Sequence, residues 1–184
     1  MKGKIVTKGK LVMRKRYLFV DEIPGEDELG NDIVGEEYRA LIRTCCTYGA
    51  FMSLLYYVPN PRVAALLAPF EVERQSYFKA FPPEDYLREQ KYALRFYRIC
   101  PELCETILSI SDHIFEWFHI ESDLPDDPVF YREDGSVFFY CEIHEGYLKL
   151  FPTESEDVSN IISNPAWKCY NDVSPIPTTP EIAL

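Results

Sequence analysis

Between Pro128 and Phe151 the chain passes through three stretches of aromatic and β-branched residues, separated by Asp134-Gly135 and Glu145-Gly146. Such dipeptides admit the positive φ of tight hairpin turns, and the flanking residues favour extended backbone. The pattern therefore predicts a three-stranded antiparallel meander. No other stretch restricts the fold as strongly, because a small meander must bury one face against something else. A two-residue turn at Glu145-Gly146 would place His144 opposite Tyr147, Ile143 opposite Leu148, Glu142 opposite Lys149 and Cys141 opposite Leu150. That register sets an opposite-charge pair beside an aliphatic one. Alternation then assigns Val137, Phe139, Cys141, Ile143, Leu148 and Leu150 to a core face. Phe138, Tyr140, Glu142, His144, Tyr147, Lys149 and Phe151 fall on the other. That aromatic and polar surface either lies beneath a further layer or meets a partner.

The remaining periodic segments are candidates to cover the core face. From Glu36 to Tyr57, the positions Tyr38, Leu41, Cys45, Tyr48, Met52 and Leu55 recur at spacings of three and four, the mark of an amphipathic helix. Gly35 can cap it, Glu36 and Glu37 suit its positive end, and Gly49 on the apolar side implies close approach by another element. Asn60 followed by Pro61 opens a short helix through Ala68. Helical segments are also expected from Pro69 to Phe81, from Pro82-Pro83 to about Ile99, and from Pro101 to about Ile120. Thr153 to Glu156 matches a capping box and predicts a last helix carrying Val158, Ile161 and Ile162. The expected fold is α+β, five to six helices clustered on a small antiparallel sheet centred on the meander (128–151). Around a single domain over 21–170 lie a basic N-terminal arm or pair of strands (1–20) and an extended proline-containing tail (171–184).

Charge bears on partners. The net charge of −11 is uneven: residues 1–20 hold seven basic residues and no acid, so the other 164 carry 12 basic against 30 acidic, or −18. Such a body repels nucleic acid and anionic membrane and favours a basic protein. Residues 21–37 hold eight acids and no base among Pro24, Gly25, Gly30 and Gly35, which predicts an acidic loop. Its spacing does not follow the calcium loop of an EF-hand. No apolar run reaches membrane-spanning length, and Arg14-Lys15-Arg16 interrupts any signal-like segment. Six cysteines within periodic segments read as buried thiols of a cytoplasmic protein.

Catalytic motifs are sparse. Ser111-Asp112-His113 cannot act as a relay on a helix, where successive residues point about 100° apart. Cys100, just before Pro101, stands at a helix start, where a thiol can ionise more easily. Cys141 and His144 are three apart on a strand and face opposite ways. Glycine-rich phosphate loops and paired Cys-x-x-Cys ligands are missing. Neither a cofactor nor a metal is expected. Together these features predict a small acidic protein-binding module, an inhibitor or immunity-type protein that occludes a basic partner. Asp27, Glu28 and Asp32 would steer the encounter; Phe138, Tyr140, Glu142, His144 and Tyr147 would form the contact. The alternative is a small hydrolase using Cys100 or a carboxylate with His113 or His144.

Overall fold

The meander is the middle of a much larger sheet. The computed structural model describes residues 14–20, 32–57, 60–78, 91–118, 122–174 and 176. Its strands are β1 (Arg14–Val20), β2 (Phe51–Tyr56), β3 (Glu71–Phe78), β4 (Lys91–Arg98), β5 (Asp126–Tyr131), β6 (Val137–Glu142), β7 (Tyr147–Leu150) and β8 (Trp167–Asp172). They form one eight-stranded sheet in the order β3-β4-β2-β5-β6-β7-β1-β8, every neighbouring pair antiparallel. Three α-helices accompany it among the described residues: α1 (Gly35–Tyr48), α2 (Pro61–Leu67) and α3 (Pro101–Ile110). This overturns the expectation of five to six helices on a small sheet.

Each departure has a physical reason. The periodicity that predicts a helix from Glu36 to Tyr57 breaks at Gly49. A Cβ there would come within 2.6 Å of the Cys45 carbonyl oxygen and 2.8 Å of Ile99 Cδ1. The chain leaves the helix at that point, and Ala50 N–H bonds the Tyr131 carbonyl at 2.7 Å to begin β2. All six β2 residues are buried, so the strand shows no alternation and cannot be told from a helix by period. The segments 71–78 and 91–98, expected as helices, pair as β3 and β4. Tyr97 reaches Tyr56 of β2 through a 2.8 Å hydroxyl hydrogen bond. On the same face of β4, Arg95 meets Glu71 at 3.5 Å and lies 4.2 Å above the Tyr56 ring. The helix from Pro101 ends at Ile110, ten residues earlier than expected, and a single turn of 3-10 helix (Ile114–Glu116) follows. Residues 153–164, where the last helix is expected, form turns and irregular backbone instead. Half of the capping-box chemistry still forms, since Glu156 Oε2 accepts from Thr153 N–H at 2.6 Å. Asn60 caps α2 as expected, its side chain accepting from Arg62 and Val63 N–H.

The helices cover one face of the sheet. Tyr38, Leu41, Leu103 and Ile107 join Phe19, Met52, Phe130, Phe139, Leu148 and Leu150 in the main core. Each fully buried Phe or Leu contributes about 1.5–3 kcal/mol. The opposite face carries a smaller cluster of Phe51, Phe96, Val129, Tyr131, Val137 and Phe151, with Ile176 packed against it. Both faces of the central strands are therefore apolar, unlike a two-layer fold with one wet side.

Candidate functional site

The outer face of the meander differs from expectation first in register. Ile143–Glu145 forms a turn of 3-10 helix closed by Gly146 in the left-handed region (φ +68), where only glycine sits without strain. This longer turn slides the pairing by two residues: Cys141 faces Leu148, Glu142 faces Tyr147 and Tyr140 faces Lys149. A shift of two keeps each side chain on its face, so Cys141, Leu148 and Leu150 remain core.

A bulge makes the second change. Phe130 pairs with Phe139 and Tyr131 with Val137, leaving Phe138 without an opposite residue. Phe138 turns to the helical side, where it is fully buried, its ring 5.4 Å from that of Tyr48. Val137 moves to the second cluster. Phe151 is also buried, beneath the Arg16 guanidinium 5.2 Å from its ring. Phe138 therefore leaves the expected contact surface, and the aromatic patch contracts.

What remains is a polar cluster with aromatic walls. Tyr140 donates a 2.9 Å hydrogen bond to Glu142 Oε2, and Tyr147 donates to the same oxygen. The two rings lie 6.3 Å apart, and Lys149 Nζ sits 4.6 Å above the Tyr147 ring. His144 Nε2 stands 3.4 Å from Glu145 Oε1 and 3.9 Å from Glu142 Oε1. Burial, followed by donation to Glu142, pushes the Tyr147 hydroxyl up to about 12 and raises Tyr140 further. Both phenols stay protonated near neutrality and hold the carboxylate in place.

Behind the cluster, Asp127 clamps the turn: its Oδ1 accepts the Ile143 N–H at 2.9 Å. Its φ of +50 lies in the left-handed region that Asp tolerates better than most residues. Burial pushes the Asp127 carboxyl up to about 6, against the opposing pull of the Ile143 N–H and with help from neighbouring Asp126. Nothing in the sequence marked Asp127, which stands one residue before the expected meander.

The other candidates lie elsewhere. Asp27 and Glu28 fall outside the described residues. Asp32 accepts from Ile33 N–H at 2.6 Å, ahead of the Val34–His113 bridge at the start of α1, and is not gathered into the meander cluster. His113 Nδ1 is 2.9 Å from Asp112 and 3.7 Å from Glu116, so its side-chain partners are carboxylates. Ser111 Oγ donates to the His113 backbone oxygen at 2.7 Å, so the three consecutive residues form no relay. Cys100 is the N-cap of α3, as the Pro101 start implied. A cavity of about 660 Å³ opens beside β1, where Arg14, Lys15 and Tyr17 face Pro152, Thr153 and Glu154. Neither His113 nor His144 lines it, so it does not assemble the cysteine–histidine or carboxylate–histidine site of the hydrolase alternative. None of the described helices is long and apolar enough to cross a membrane. Comparison with protein-family models, curated proteins and solved structures gives no match for this chain.

Proposed function

We propose that the chain is an acidic protein-binding module that docks a basic partner on the outer face of the meander, blocking it by occlusion as an inhibitor or immunity-type protein would. The observation that supports this most is the Glu142 carboxylate, gripped by two tyrosine hydroxyls whose rings stand beside it. A carboxylate next to aromatic faces attracts Lys or Arg through charge and the ring quadrupole together. Lys149 over Tyr147 is an internal example of that contact. The charge of −18 outside residues 1–20 would speed the approach of such a partner. A cytoplasmic setting belongs to the same reading, in keeping with six free thiols.

The test is an NMR titration of the labelled chain with a short Lys/Arg-rich peptide. Amide shifts should concentrate at residue 127 and residues 140–149. Glu142→Gln should weaken binding roughly fivefold, about 1 kcal/mol, as expected for an ion pair at the protein surface. Shifts scattered over the whole acidic surface, or indifference to Glu142→Gln, would overturn the proposal.

A further inference from the structure

On one side, β1 runs past the end of its partner strand. Its pairing with β7 stops at Tyr17 and Leu150, whereas its pairing with β8 continues to Arg14 and Asp172. The cavity of about 660 Å³ lies beside the stretch of β1 that β7 leaves over. Arg14, Lys15 and Tyr17 line it together with Pro152, Val158 and Ile176. Arg16 stands at its border without lining it. Lys15 and Tyr17 flank Arg16 in the strand, and its guanidinium lies over Phe151, the residue before Pro152.

Arg16 is only 1% exposed, yet its Nε and Nη2 have no hydrogen-bond partner. Its Nη1 donates to the Lys15 carbonyl oxygen at 3.2 Å. Burial, followed by the like charge of Arg14, holds the guanidinium below its ordinary value. Asp172 offsets this in part, but its carboxylate accepts from Ser174 N–H at 2.9 Å. A buried cation is costly unless an anion pairs with it. Nε and Nη2 form the side-on fork of a guanidinium, and two other arginines show what that fork takes. Arg132 offers the same two atoms to Glu156 at 2.7 and 2.8 Å, and Arg74 offers them to Glu71 at 2.9 and 3.1 Å. Both are bidentate carboxylate pairs.

We propose that the Arg16 fork and the adjoining cavity form a binding site for a small organic carboxylate. The carboxylate pairs with Nε and Nη2, and the body of the acid lies in the cavity against Pro152, Val158 and Ile176. The cavity's volume falls within the roughly 300–1,000 Å³ of small-molecule sites. Arg14 and Lys15 in the lining attract the anion; Glu154 opposes it, while Glu156 is already neutralised by Arg132. Ile176 both lines the cavity and packs on the Phe151 cluster, so it is the side chain that yields as Arg16 turns its fork inward.

The test titrates the full isotope-labelled chain with acetate, benzoate, uncharged benzamide and inorganic phosphate, following backbone amides and arginine Nε–H signals by NMR. Benzoate should saturably shift the Arg16 Nε–H, the Ile176 methyls and the amides of Lys15, Tyr17 and Phe151. It should bind at least roughly tenfold tighter than benzamide. Arg16→Lys keeps the charge but has no fork, and should weaken benzoate roughly tenfold; Arg14→Lys should weaken it roughly twofold at most. Three outcomes would overturn the proposal: an Arg16 signal silent toward both carboxylates, shifts that centre on Arg14 without saturating, or undiminished binding in Arg16→Lys. Phosphate binding at Arg16 more tightly than benzoate would overturn the carboxylate assignment. The Arg16 signal of the unmutated chain decides the question even where Arg16→Lys fails to fold.

Discussion

Asp127 carries an unusual load for one residue. It adopts a left-handed backbone, clamps the Ile143 turn and keeps its proton to about pH 6. An unfolded Asp releases that proton near 3.9. Between these values the native state binds more protons than the unfolded state, so this residue's contribution to stability falls as pH rises from about 4 to 6. Asp127→Asn keeps the Oδ1 acceptor and tolerates the same backbone, but has nothing to ionise. Urea unfolding should show the variant more stable than the parent at pH 7, by on the order of 2 kcal/mol, with the gap closing below pH 4. A gap that does not change with pH would show that burial of this carboxyl is not its cause. The sequence made Tyr140, Glu142, His144 and Tyr147 legible as one face, because alternation depends only on knowing that β6 and β7 are strands. It could not reveal Asp127 or the Arg132–Glu156 ion pair at 2.7 Å, since both join residues from different strands and loops. Phe138 was misplaced because a bulge leaves no mark on the residue it displaces.

At the scale of elements, Gly49 decides where helix becomes strand. Its position lets Ile99 and the Tyr131 carbonyl approach α1's end, which is why the close approach implied by the sequence is real while the helix beyond it is not. Gly49→Ala would force a Cβ against the Cys45 carbonyl and Ile99 Cδ1. The expected cost is about 1–3 kcal/mol, read as a lowered urea midpoint with unchanged helical circular dichroism. A neutral outcome would mean that α1's end shifts freely. Element types were legible where a local chemical device set them: Asn60-Pro61 for α2, Pro101 for α3 and the glycine turns for β5 to β7. They were illegible where burial on both faces erased alternation, as in β2, or where long-range pairing overrode local pattern, as in β3 and β4.

The topology of the whole molecule makes β1 its most non-local element. The first described strand lies between β7 and β8, so residues 14–20 pair with 147–150 and 167–172. Phe19 is the residue that binds this junction to the helical layer: it is fully buried, its ring 5.4 Å from Trp167 and 6.3 Å from Phe115. Strands β2, β3 and β4 close over much shorter separations, apart from their contact with β5. Loop-closure entropy therefore weighs most on β1, and a loss of packing there should first loosen the edge it completes. Phe19→Leu removes part of the ring's contacts while keeping an apolar side chain, for a cost of about 1–2 kcal/mol. Hydrogen exchange should quicken together in β1, β7 and β8 while amides of β2 and β4 keep their protection. Uniform quickening across all eight strands would instead make the sheet a single cooperative unit, with β1 no weaker than the rest despite its distance along the chain.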